Sequence, residues 1–78
     1  MEHIVSAISE ICEKNKYSSC KEFIELLDSK LPYNLFIMKL ADITRKMADE
    51  ARKTGQSDDH EILEGIIGDL EPSIEYDV

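Results

Sequence analysis

From residue 56 to its C-terminal end the chain carries neither lysine nor arginine. All the charged side chains of that stretch are acidic: Asp58, Asp59, Glu61, Glu64, Asp69, Glu71, Glu75 and Asp77. Residues 1–55 hold nine acids and nine bases, so the net charge of −8 belongs entirely to the last third. Such segregation of charge is the pattern of an interaction surface or an acidic tail. It speaks against direct binding of DNA, RNA or an anionic membrane, all of which require basic side chains.

Cysteine is nearly as scarce, with only Cys12 and Cys20. Met1-Glu2-His3 is not the basic start of a secretory signal, and no small-residue cleavage site follows. The expectation is therefore a cytoplasmic protein with both thiols free. Long apolar runs are absent too, so no transmembrane segment is expected.

At 78 residues the chain is read as one domain. A domain of that size buries roughly 60% of its unfolded surface. Its core supplies no more than about 3–5 kcal/mol without help. With a disulfide set aside, oligomerisation or partner binding is the expected supplement. The three glycines form no glycine-rich turn, so nothing shapes an oxyanion site for a Cys–His nucleophile. His3, Cys12, Cys20 and His60 are metal-binding residue types, but their spacings match no paired-ligand signature. The chain is read as non-catalytic, with no cofactor and no metal.

What the sequence does contain is helical periodicity. The apolar spacing predicts an all-α fold, a small irregular four-helix bundle with helices at about 2–15, 19–31, 33–54 and 58–70. The helical domain is placed at 1–70 and an acidic tail at 71–78. Ile4, Val5, Ala7, Ile8, Ile11 and Cys12 mark the apolar face of the first helix, and Asn15 suits the position just past its end. Ser19 and Glu22 read as a capping box opening the second helix, which should bury Phe23, Ile24, Leu26, Leu27 and Leu31, and Pro32 either ends that helix or starts the next as its first residue. Leu35, Phe36 and Ile37 make the start of the third helix apolar nearly all round, which places that end in the core or in an oligomer interface. Asp42 with Lys46, and Asp49 with Lys53, are expected i,i+4 ion pairs, and Gly55 ends the helix. Ser57 or Asp58 should cap the fourth helix, whose expected buried face is Ile62, Leu63, Ile66, Ile67 and Leu70. Gly65 and Gly68 weaken that helix by roughly 1 kcal/mol each, and close helix–helix approach would be one reason to have them. Ile74, Tyr76 and Val78 alternate in the tail, suited to covering the bundle or to adding a strand to a partner sheet.

Two short motifs suggest binding chemistry. Gly65-Ile66-Ile67-Gly68 matches the GxxG loop of KH-type RNA binders, but its neighbours Glu61, Glu64, Asp69 and Glu71 would repel phosphate. Asp28-Ser29 resembles the Asp-Ser-Leu attachment site of acyl carrier proteins, and length, helicity and acidity agree. That resemblance implies a carrier modified at Ser29. Lys30 stands where the family has leucine, and the helix that follows carries Lys39, Arg45 and Lys46.

The function expected from these residues is a small acidic adaptor or inhibitor. It would contact a basic surface of a partner protein through Asp58, Asp59, Glu61, Glu64, Asp69, Glu71, Glu75 and Asp77. One alternative is mimicry of nucleic acid, with carboxylates standing for phosphates. A second is a homo-oligomeric structural protein, a dimer joined at Leu35 and Phe36. The bland alternative is that the acids only coat the solvent face of the last helix.

Overall fold

A computed structural model describes residues 2–71. Four helices follow in order: α1 (Glu2–Lys14), α2 (Ser19–Asp28), α3 (Tyr33–Lys53) and α4 (Ser57–Leu70). The expected all-α bundle is present, and no strand occurs among the described residues. None of the described helices is long and apolar enough to cross a membrane.

The long helix α3 is the spine. α4 lies along it, α2 packs beside it, and α1 closes mainly on α4. α3 earns this place by having two apolar flanks: Ile37, Leu40, Ala41, Ile43, Thr44, Met47, Ala48 and Ala51 are all buried. The small Ala41, Ala48 and Ala51 let neighbouring helices approach, while Leu40 and Met47 fill the space between them. Ile8, Phe23, Leu63 and Leu70 complete the interior from the other three helices. Thr44 is fully buried, and its hydroxyl donates to the Leu40 carbonyl at 2.6 Å. Among the described residues no buried side-chain nitrogen or oxygen lacks a hydrogen-bond partner.

α3 ends as its glycine requires. Gly55 has φ of 77°, the left-handed conformation that a Cβ penalises. The Gln56 amide donates to the Ala51 carbonyl at 2.8 Å and the Gly55 amide to Arg52 at 3.2 Å, which is the Schellman pairing. This three-residue connection turns the chain back on itself, so α3 and α4 form an antiparallel hairpin.

Several expectations need correction. Cys12 and Cys20 are joined in a disulfide, with Cα atoms 5.8 Å apart, within bonding range. The tight corner at residues 15–18 brings the last turn of α1 against the first of α2, a proximity that spacing along the chain does not reveal. The two thiols expected to be free are therefore bonded to each other. α2 stops at Asp28 rather than residue 31, because both the amide and the hydroxyl of Ser29 turn back to the Leu26 carbonyl. Ser19 is already inside the helix and forms no capping box. Its hydroxyl donates to Glu50 at 3.3 Å, while Glu22 pairs with Lys46 at 3.2 Å. Lys46 is thus drawn away from Asp42, which meets Arg45 instead, at 3.7 Å. Asp49 does pair with Lys53, at 3.0 Å, and also with Arg52; those two cations hold its carboxyl below the usual range. Gln56, not Ser57 or Asp58, occupies the cap position of α4, with no side-chain cap.

Burial also departs from the expected pattern. Ile24, Leu27 and Ile62 are exposed, since one flank of each short helix suffices to cover the core. A Cβ added at Gly65 or Gly68 would meet no atom within 4 Å, so close packing inside this chain does not require either glycine.

Candidate functional site

The acidic third divides into groups with different surroundings. α4 turns Leu63, Ile66, Ile67 and Leu70 inward, and the 3.6-residue period then sets the acids at different angles about the axis. Asp58, Glu61 and Asp69 are exposed and make no salt bridge among the described residues. Glu64 and Glu71 flank the α3 side instead. Glu64 lies 3.2 Å from His60 of its own helix, and Glu71 lies 3.7 Å from Arg45 of α3. Together with Asp49 and Arg52 they line a shallow furrow between α3 and α4 in which both signs of charge alternate.

Asp59 is placed differently. It is only 9% exposed and points at the α1–α2 corner. Its Oδ2 accepts from Asn15 Nδ2 at 2.6 Å and from the Tyr17 hydroxyl at 3.2 Å. Lying in the first turn of α4, it also meets the positive end of the helix. Burial pushes the Tyr17 phenol above its ordinary range, a hydroxyl contact from Thr54 opposes that, and the carboxylates of Asp59 and Glu50 add to the rise. Asp59 is therefore a bond between elements, and Asp58, Glu61 and Asp69 are the carboxylates that α4 offers outward. Glu75 and Asp77 lie outside the described residues, as do Ile74, Tyr76 and Val78.

A second polar knot lies beside the first. The hydroxyls of Ser18 and Ser19 both donate to the Glu50 carboxylate, fixing the start of α2 against the end of α3. Sequence reasoning missed Asn15, Tyr17, Ser18 and Glu50 as partners. Asn15 was legible only as a helix-end residue, and nothing in its local spacing points 44 residues ahead to Asp59.

The apolar candidates are distributed as follows. Leu35 is 43% exposed, Phe36 is half-buried and packs against the core, and Ile37 is fully buried. Tyr33 and Met38 are exposed beside them, and Ile24 and Leu27 are exposed on α2. A groove of about 390 Å³ separates α2 from α3, lined by Leu26, Leu31 and Ile43 together with Glu22, Lys39 and Lys46. Ser29 also borders this groove, with its hydroxyl donating to the Leu26 carbonyl at 2.6 Å. It stands at the C-terminal end of a helix, where the macrodipole is negative and disfavours an attached phosphate.

Among the described residues no group of three or more His, Cys, Asp and Glu side chains is arranged to hold a metal ion. No protein-family model matches the chain, and neither a curated protein nor a solved structure does.

Proposed function

We propose that the chain is a small, non-catalytic binding protein, an adaptor or inhibitor, that meets a basic surface of a partner protein through the outward face of α4. The observation that carries this reading is the state of Asp58, Glu61 and Asp69: three exposed carboxylates on one helix with no cation paired to them among the described residues. Unpaired surface carboxylates keep their field available to an approaching cationic patch, whereas Glu71 has part of its field neutralised by Arg45. Nucleic-acid mimicry is the sharper form of the same reading, and would place the partner among DNA- or RNA-binding proteins. A cytoplasmic location requires that the Cys12–Cys20 bond be reversible there.

The test is the combined change Asp58→Lys, Glu61→Lys and Asp69→Lys. A partner captured by the native chain from nuclease-treated lysate should be lost by the reversed chain, and capture by the native chain should weaken as salt rises. Unchanged capture and unchanged salt dependence would sink the reading. If DNA or RNA displaces the captured protein, mimicry is favoured.

A second reading, self-association, is supported by Tyr33, Leu35 and Met38, large apolar side chains exposed near the start of α3. It expects a dimer by sedimentation that Leu35→Glu converts to monomer. The carrier reading would require Ser29 to be modified, and a Ser29→Ala chain with intact function would dispose of it.

A further inference from the structure

The Cys12–Cys20 bond closes the corner where α1 meets α2, and two residues inside that ring bond to the first turn of α4. Cys12 is in the last turn of α1 and half-buried, while Cys20 is buried in the first turn of α2. Between them, Asn15 and Tyr17 both donate to Asp59 in the first turn of α4. That turn has no side-chain cap of its own, and two glycines follow it in the helix. The start of α4 is thus tied to the corner, which the covalent bond closes on one side and the Ser18 and Ser19 bonds to Glu50 hold on the other.

We propose that the disulfide is a redox-operated latch on α4. With the bond closed, residues 15–18 are confined and present Asn15 and Tyr17 to Asp59. With the bond open, that segment gains conformational freedom, the two hydrogen bonds become intermittent, and the first turn of α4 frays. The latch stands on the geometry alone. Its consequence for partner binding rests on the reading of α4 given above.

The chemistry is thiol–disulfide exchange with a dithiol reductant. A reductant thiolate attacks Sγ of Cys12, the more exposed of the two residues. The S–S bond breaks, its electron pair leaves on Cys20, and Cys20 takes up a proton. The second thiol of the reductant then attacks the mixed disulfide, closing the reductant's own disulfide and releasing Cys12, which is protonated in turn. Two electrons pass to the protein, and an oxidised dithiol accepts them when the bond re-forms.

Amide hydrogen exchange on the full chain, before and after treatment with dithiothreitol, tests the proposal. Alkylation after native reduction should add two groups. The amides at 60–64 should then exchange about tenfold faster or more through local openings that low urea does not promote, while those at 37–47 in α3 exchange only through the urea-dependent global unfolding that loss of the bond also favours. The Cys12→Ser, Cys20→Ser chain should match the reduced protein. Asn15→Ala in the oxidised protein should accelerate the same α4 amides with the disulfide intact. Equal α4 exchange in both redox states, thiols that resist native reduction, or a uniform loss of protection across all helices would each overturn the latch. No partner enters this measurement, so its failure is distinguishable from failure of the binding reading.

Discussion

Asp59 shows how differently neighbouring acids behave. Asp58 faces water, while one position on, Asp59 accepts two hydrogen bonds in a site it shares with Tyr17. Replacing Tyr17 by Phe removes one donor and should cost about 1 kcal/mol in urea unfolding. Asp59→Ala removes the carboxylate acceptor of both Asn15, which keeps only its longer bond to the Ile11 carbonyl, and Tyr17, and should cost more, about 1–3 kcal/mol. The pH dependence has a definite sign. Because the folded state raises the Tyr17 phenol, its stabilisation is fully present below the ordinary tyrosine pKa and is lost as pH climbs through the raised value. The native chain should therefore lose stability above about pH 10 more steeply than Tyr17→Phe, a comparison that denaturant titrations across alkaline pH would make. Equal slopes would show that Tyr17 ionisation is not linked to folding.

At the scale of elements, α4 is the weak helix and can be strengthened without touching the core. Gly65→Ala and Gly68→Ala put a methyl group where no atom lies within 4 Å. Each should raise stability by roughly 0.5–1 kcal/mol by reducing backbone freedom in the unfolded chain. Gly55→Ala should do the opposite, costing about 1–2 kcal/mol, because a φ of 77° crowds a Cβ against the backbone. Thermal melts of the three single variants check both signs at once. These elements also show what the sequence made legible. Helix positions followed from period and punctuation: Gly55 ends α3, and Pro32 stands at the cap position that opens it, although α2 stops earlier, at Asp28. Which flank of a helix would be covered did not follow, because Ile24 and Leu27 are as apolar as Phe23 and Leu26, and only the placement of α3 decides between them. Lys46 had two acids within reach, and the local one lost to Glu22 of α2 once the helices packed. The eight acids were fully visible as a composition, but the division of Asp58, Asp59, Glu61, Glu64, Asp69 and Glu71 into outward, paired and buried groups needed the rotation of α4 about its axis.

For the whole molecule, the disulfide supplies the reinforcement that a small core needs. Closing a ring across a sequence separation of 8 residues removes unfolded-state entropy worth about 2.5 kcal/mol in the chain-entropy model. The Cys12→Ser, Cys20→Ser chain should unfold at correspondingly lower urea, with Cys12→Ser alone showing a similar loss. Phe23→Ala, at 1% exposure, should cost about 3–5 kcal/mol, enough to unfold most of a domain of this size.

The same arrangement also sets an order in time. α3 packs on the helices immediately before and after it in the chain, whereas α1 must be carried past both of its successors to reach α4. Loops that close early are short, and the long one is left for the end. The α3–α4 hairpin with α2 should therefore constitute the folding nucleus. Ile8→Val in α1 should accelerate unfolding with little effect on the refolding rate, and Leu40→Ala in α3 should slow refolding itself.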